Sequence, residues 1–200
     1  FLSRLLFRAK GHEAYSCDIQ EPSGGHPEFH ILGDALKALE GGQVVTMDGV
    51  THDVGKWDLL IAHPPCTYLS NAGARFLYPK GVLNEQRLRK GLMAKDFFLH
   101  FLWADIPKIA VENPIPSSVY CLPKYTQTIQ PYQFGHPFKK KTCLWLKGLP
   151  ELEPTDEIPL EQCESTKVAG NWFNHGGKDR QANRAKTFPG IAKAMAEQWG

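Results

Sequence analysis

Apolar residues gather in short runs along this chain, and the runs alternate with stretches whose apolar positions recur at helical spacing. That alternation predicts an α/β fold on a mostly parallel sheet. Residues 2–10 put Leu2, Leu5, Leu6 and Ala9 on one helical face, with Gly11 as the stop. Residues 13–17 read as a brief strand ending at Asp18, and residues 21–28, rich in Pro, Gly and Ser, as a loop. Residues 30–32 form a second short strand, and Asp34 opens a helix over 35–39. Residues 41–56 alternate Val and Thr around Asp48-Gly49, which reads as a small inserted hairpin or equally as a flexible loop.

The strongest buried-strand pattern is DLLIA at 58–62, which runs directly into His63-Pro64-Pro65-Cys66. Leu88, Leu92, Leu99 and Leu102 give residues 84–103 the spacing of a crossover helix. Residues 108–111 predict another buried strand, ended by Glu112-Asn113-Pro114. Two later strands, 127–132 and 142–146, suit an antiparallel pair. Residues 148–186 are polar and hold little core, and residues 191–199 close the chain as an amphipathic helix.

Composition narrows the class. The 200 residues predict a single domain, with the polar stretch 148–186 as an insertion. Net charge is +2, which excludes a polybasic coat protein but permits a local basic patch. No apolar run reaches the roughly 18 residues of a membrane span. The five cysteines (Cys17, Cys66, Cys121, Cys143, Cys163) form no CxxC pair, so a reduced cytoplasmic setting is expected rather than a disulfide framework or zinc ribbon. The first residue is Phe1 instead of Met and residues 1–8 do not read as a signal peptide, so the natural N-terminus is expected to be absent or altered.

The chemistry concentrates where open α/β sheets bind ligands, at the carboxyl ends of the strands. Asp18 suits ribose hydroxyls there, and Asp34 suits an adenine amino group or, equally, a helix N-cap. In the Pro64-Pro65-Cys66 turn, two prolines fix the backbone just after a buried strand and hold the thiol in one place. A purely structural cysteine more often sits inside a strand. Glu112 ends a neighbouring strand, faces the same crevice, and partial burial favours its protonated form. A rigid thiol beside a protonatable carboxyl group is a nucleophile with an acid partner. His26 and His30 have a metal-like spacing, yet without cysteine partners no metal site is assigned to them. Lys139 to Lys141 suit a solvated face or a phosphate clamp equally. Trp145, Trp172 and Phe173 read as core or loop anchors rather than base-stacking platforms, and residues 171–177, with His175, as a plain surface loop in preference to a mobile DNA-contacting one.

The run IAHPPCTYLS at 61–70 resembles the Pro-Cys motif of cytosine-5 DNA methyltransferases, including the serine a few residues on. Val111-Glu112-Asn113-Pro114 resembles their Glu-Asn-Val motif, with Pro114 for Val. FKKKTCLW at 138–145 resembles their basic strand in a lysine form, and Thr187-Phe188-Pro189-Gly190-Ile191-Ala192 loosely resembles the last motif. The likeness is strongest to small phage-type DNA methylases. It implies a Rossmann-like S-adenosylmethionine-dependent methyltransferase sheet with flanking helices. Cys66 and Glu112 would be catalytic; Asp18, Ile19, Asp34, Ala35, Pro64, Thr187, Pro189 and Gly190 would hold S-adenosylmethionine; Ser70, Lys139 and Lys141 would contact DNA. The implied function is cytosine-5 methylation of DNA, phage-borne and acting in the bacterial cytoplasm, with no obligate protein partner.

Two departures from the family qualify it. The family opens with a strand and a glycine-rich turn around the cofactor's methionine part, whereas residues 1–10 contain no glycine. Between the basic strand and the last motif only about forty polar residues stand in for a target-recognition domain, so sequence readout is expected to be sparse. The alternatives are an amino methyltransferase acting on adenine or cytosine nitrogen, or a catalytically silent nucleic-acid-binding relative. Against the first, His63-Pro64-Pro65-Cys66 lacks both the leading Asp or Asn and the aromatic of those enzymes.

Overall fold

The structure, a computed structural model, describes residues 2–165 and 187–200. The chain is mixed α/β, with small sheets flanked by helices. It divides into two compact units, one comprising Tyr15–Thr128 and Thr142–Glu151, the other Phe1–Ala14, Ile129–Lys141 and Leu152–Gly200. Residues 166–186, the greater part of the polar stretch, lie outside the described residues, and with them Trp172, Phe173 and His175.

The first unit holds the strands that the apolar runs predict. β1 (Ser16–Asp18) pairs in parallel with β2 (His30–Leu32), and α2 (Ala35–Ala38) follows. The strand expected over 13–17 starts later and includes Asp18. β3 (Gln43–Val45) and β4 (Thr51–Asp53) form the antiparallel hairpin, so the loop alternative falls away. Its turn is closed by Asp48, whose carboxylate accepts from the Thr46 hydroxyl and the Val50 N–H. His26 and His30 do not converge: His26 Nδ1 meets Glu28, while the His30 ring bonds the Ser16 hydroxyl and the Gln20 carbonyl.

The core sheet has the order β5-β6-β9-β7, where β5 is Leu59–Ala62, β6 Lys108–Pro114, β7 Gln127–Ile129 and β9 Thr142–Lys147. β5 and β6 are parallel, which requires a long crossover. α4 (Glu85–Leu102) supplies it, its start capped by the Asn84 side chain accepting from the Arg87 N–H. Phe98 and Phe101 from α4 pack on Ile109, Val111 and Trp145 from the sheet. The Phe98 and Trp145 rings meet edge-on at 4.9 Å, and the Trp145 N–H donates to the Pro123 carbonyl at 2.8 Å.

Three expectations are corrected. β6 does not end before Glu112-Asn113-Pro114 but runs through it, because antiparallel β9 continues alongside, pairing Glu112 with Leu144 and Pro114 with Thr142. Pro114 is tolerated as the strand's last residue. The strand expected over 127–132 stops at Ile129, since Pro131 opens a 3₁₀ turn. FKKKTCLW is not one basic strand. β8 (Phe138–Lys139) pairs with β10 (Glu164–Ser165), whereas β9 belongs to the core sheet, so the run breaks at Lys140 and Lys141 between two different partners.

Gly91 shows how tightly α4 is seated. A Cβ there would run into the ring of Tyr120, which is buried to 2% exposure. Gly91→Ala should therefore destabilise the fold by about 1–3 kcal/mol, although alanine is the better helix former. Urea unfolding checks this; an unchanged or higher midpoint would show that the ring yields freely.

The second unit packs α1 (Leu2–Ala9) along α5 (Pro189–Trp199), with Phe7, Met195 and Trp199 among the buried side chains. Gly11, at φ 92°, stops α1 as expected. Among the described residues, no helix is long and apolar enough to cross a membrane.

Candidate active site

β5 and β6 run in register, Ala62 opposite Val111. The next residues along are His63 and Glu112, and they meet: His63 Nδ1 and Glu112 Oε2 share a hydrogen bond of 3.2 Å. Both side chains are partly covered, 31% and 23% exposed. Glu112 thus has one oxygen engaged on the His63 side, which leaves Oε1 for a ligand. Its neighbour Asn113 is fully buried, donating to the Pro114 carbonyl.

Pro64 is buried and Cys66 half-buried three residues past His63. Two features hold this loop. The Cys66 carbonyl accepts the Ser70 N–H at 3.1 Å, closing the turn on itself. Ser70 then bridges to Pro116, with Ser117 N–H donating to Leu69 O and Asn71 N–H to Ile115 O. The Cys66 loop is therefore stapled to the continuation of the strand that carries Glu112. A pin from α4 completes the frame: the Arg87 guanidinium donates to the Thr67 and Gly73 carbonyls and lies over the Tyr68 ring at 4.9 Å. Gly73 is required at its position, since a Cβ would strike the Thr67 carbonyl.

Ser70, expected at the DNA surface, is 7% exposed and opens α3 (Asn71–Ala74), a helix the sequence did not announce. His63 as the partner of Glu112 was missed as well. Its signal was present, a histidine at the last position before Pro-Pro, but only the strand register assigns it a partner.

Asp18 and Asp34 stand at the carboxyl ends of β1 and β2. Asp18 is exposed and accepts from the Gln20 N–H through Oδ1. Asp34 is an N-cap, its Oδ1 accepting from Leu36 N–H at 2.9 Å, with Ala35 the first residue of α2. Burial first, then the charges of Asp18 and Asp34, push the Cys17 thiol up to about 11. Cys17 is thereby an inert thiol. Ile19 beside them is 79% exposed.

Lys139, Lys141, Thr187, Pro189 and Gly190 belong to the other unit. Both lysines are exposed, Lys139 in β8 and Lys141 past its end. Gly190 is required by packing. Its N–H donates to His136 Nε2 at 2.8 Å, and the Phe134 carbonyl leaves no room for a side chain. Burial holds His136 below the ordinary histidine range, opposed by Asp156, so the folded unit prefers a neutral ring. The unfolded chain takes up the proton first as pH falls below about 6.5. Stability is full above that point and is lost as pH drops through the folded value. The melting temperature should fall between about pH 7.5 and about pH 5.5, and His136→Gln should flatten that slope; equal slopes in the two proteins would remove His136 as the cause.

No protein-family model matches this chain, and no curated protein matches it.

Proposed function

We propose that this protein is an S-adenosylmethionine-dependent DNA cytosine-5 methyltransferase, with a Rossmann-like sheet, acting on a cytosine turned out of the helix. The observation that carries the reading is the placement of Cys66 and Glu112. Cys66 follows the carboxyl end of β5, Glu112 lies in the adjacent parallel strand β6 one residue past the last β5–β6 pair, and both hang from one stapled frame.

The chemistry that the pair can perform is defined. A cytosine C6 is out of reach in the stack, so the base must first be flipped. Cys66, as thiolate, forms a C–S bond at C6, and the C5=C6 electron pair moves into the ring toward N3. Glu112 delivers its proton to N3 through the oxygen that His63 does not hold. C5 is then nucleophilic. S-adenosylmethionine, when bound, supplies an electrophilic methyl group for C5. The C5 proton then passes to water as the C5=C6 double bond re-forms, Cys66 leaves C6 as thiolate, and N3 returns its proton to Glu112.

The fit of the cofactor divides at its middle. Two carboxylates at successive strand ends, with exposed Ile19 beside them, suit the ribose and adenine. For the methionine part the structure offers no counterpart among the described residues, because residues 2–9 form a helix whose side chains pack against α5. Calorimetry on this 200-residue chain should therefore show weak or undetectable binding of S-adenosylmethionine; micromolar affinity would mean that other residues hold the methionine part.

The function is best tested by a step that needs no cofactor. Addition of Cys66 at C6 lets C5 take a proton from water, so tritium placed at C5 of cytosine in DNA should be released to solvent. An amino methyltransferase or a silent binding relative releases none, and absence of release from duplex and single strand alike would overturn the proposal.

A further inference from the structure

Beyond the reactive pair, the loop after Cys66 and the start of α4 build a second feature. Tyr68, Phe76, Asn84, Gln86, Arg87 and Lys90 line a cleft of about 340 Å³, within the size range of small-ligand sites. Of its aromatic lining, Phe76 is 51% exposed, and Tyr78, two residues on in the chain, is 53% exposed. Isolated exposed aromatics need no explanation, but these are interleaved with cations. Arg75 lies 4.6 Å from the Phe76 ring centroid and Arg87 5.3 Å.

Charge concentrates in the same segment. Residues 66–95 carry Arg75, Lys80, Arg87, Arg89, Lys90 and Lys95 against the single acid Glu85, while the whole chain nets only +2. The rest of the chain is therefore net acidic. Glu85 is taken by Arg89, and Arg75, Lys80 and Lys90 have no acidic partner among the described residues. Arg87 is committed to holding the Cys66 loop and gives the cleft a fixed wall; Lys90 also lines it, Arg75 lies against the lining residue Phe76, and Lys80 follows the lining residue Pro79 in the chain.

We propose that this cleft binds an unpaired stretch of DNA, with a base stacked on Phe76 and Tyr78 and phosphates met by Arg75, Lys80 and Lys90. Phosphate charge alone would suit duplex and single strand equally. Exposed rings discriminate, because a duplex keeps its bases stacked on each other, whereas an unpaired strand offers each base face to a protein ring. The cleft adjoins the Cys66 loop, so it would hold nucleotides beside the target base. In that respect it rests on the reading of DNA as substrate.

The test uses the whole chain and a fluorescent oligothymidylate of about 15 nucleotides, with its duplex with oligoadenylate for comparison. Neither contains cytosine, so the outcome is independent of the Cys66 chemistry, which tritium release reads separately. Single-strand binding should exceed duplex binding by about tenfold, and Phe76→Ala and Tyr78→Ala should each weaken it by about tenfold. Lys80→Ala and Lys90→Ala should each lower the slope of log affinity against log salt by about 0.7. Lys37→Ala, on α2, serves as the control and should change nothing. Equal affinity for duplex and single strand, or a natively folded Phe76→Ala that binds as the parent does, would overturn the proposal.

Discussion

Cys66→Ser is expected to abolish tritium release from C5 of cytosine and to abolish covalent capture by 5-fluorocytosine DNA, while leaving the fold intact. The substitution exchanges sulfur for oxygen in a half-buried side chain, and the turn is held by main-chain bonds that Cys66 O accepts from Ser70 N–H and Leu69 O accepts from Ser117 N–H, which serine at 66 retains. What changes is the nucleophile: a thiolate is accessible near neutral pH, whereas a serine hydroxyl needs an adjacent base. The other cysteines give the comparison. Cys17 is held as the neutral thiol by burial and two acids, Cys143 and Cys163 are buried, and Cys121 is exposed. Cys121→Ser should leave release at the parent rate. Release that survives in Cys66→Ser, seen by scintillation counting with the folded spectrum unchanged, would place the nucleophile elsewhere.

That assignment began in the sequence, and the reasons it was legible are physical. Unbroken aliphatic runs suit parallel strands, so DLLIA and the run at 108–111 announced β5 and β6 directly, although β5, at the edge of the core sheet, is only half-buried over Leu59, Leu60 and Ile61. Their polar followers then had to fall at one sheet edge. The Asp34 cap was legible too, because it acts on the backbone N–H two residues on. What stayed hidden depends on partners distant in sequence. The extension of β6 through Pro114 needs β9 beside it. The break in the lysine run needs β8 and β9 to belong to different sheets, and no local pattern records that. The Arg87 pin joins residues up to 20 positions apart, and the bond between His63 and Glu112 spans 49. Gly190 reads in sequence as part of a cofactor motif, while its N–H is engaged by His136, a contact across 54 positions.

Glu112→Gln is expected to lower the rate of C5 tritium release by about 100-fold or more, the scale of a lost general acid. The amide keeps the shape of the carboxyl group, and strand register with Leu144 is unaffected because it is made by the main chain. It can still hydrogen-bond to the base and to His63, but it has no proton to give to N3. Charge built up when Cys66 attacks C6 then has nowhere to go, so the defect falls on the chemical step. Affinity for a cytosine-containing strand should change little by comparison. His63→Ala separates positioning from proton donation. It removes the bond to Oε2 yet leaves a carboxyl group on β6, so release should fall less than in Glu112→Gln. Release at the parent rate from a folded Glu112→Gln protein would exclude Glu112 as the acid. A greater loss in His63→Ala than in Glu112→Gln would transfer the proton-donating role to His63.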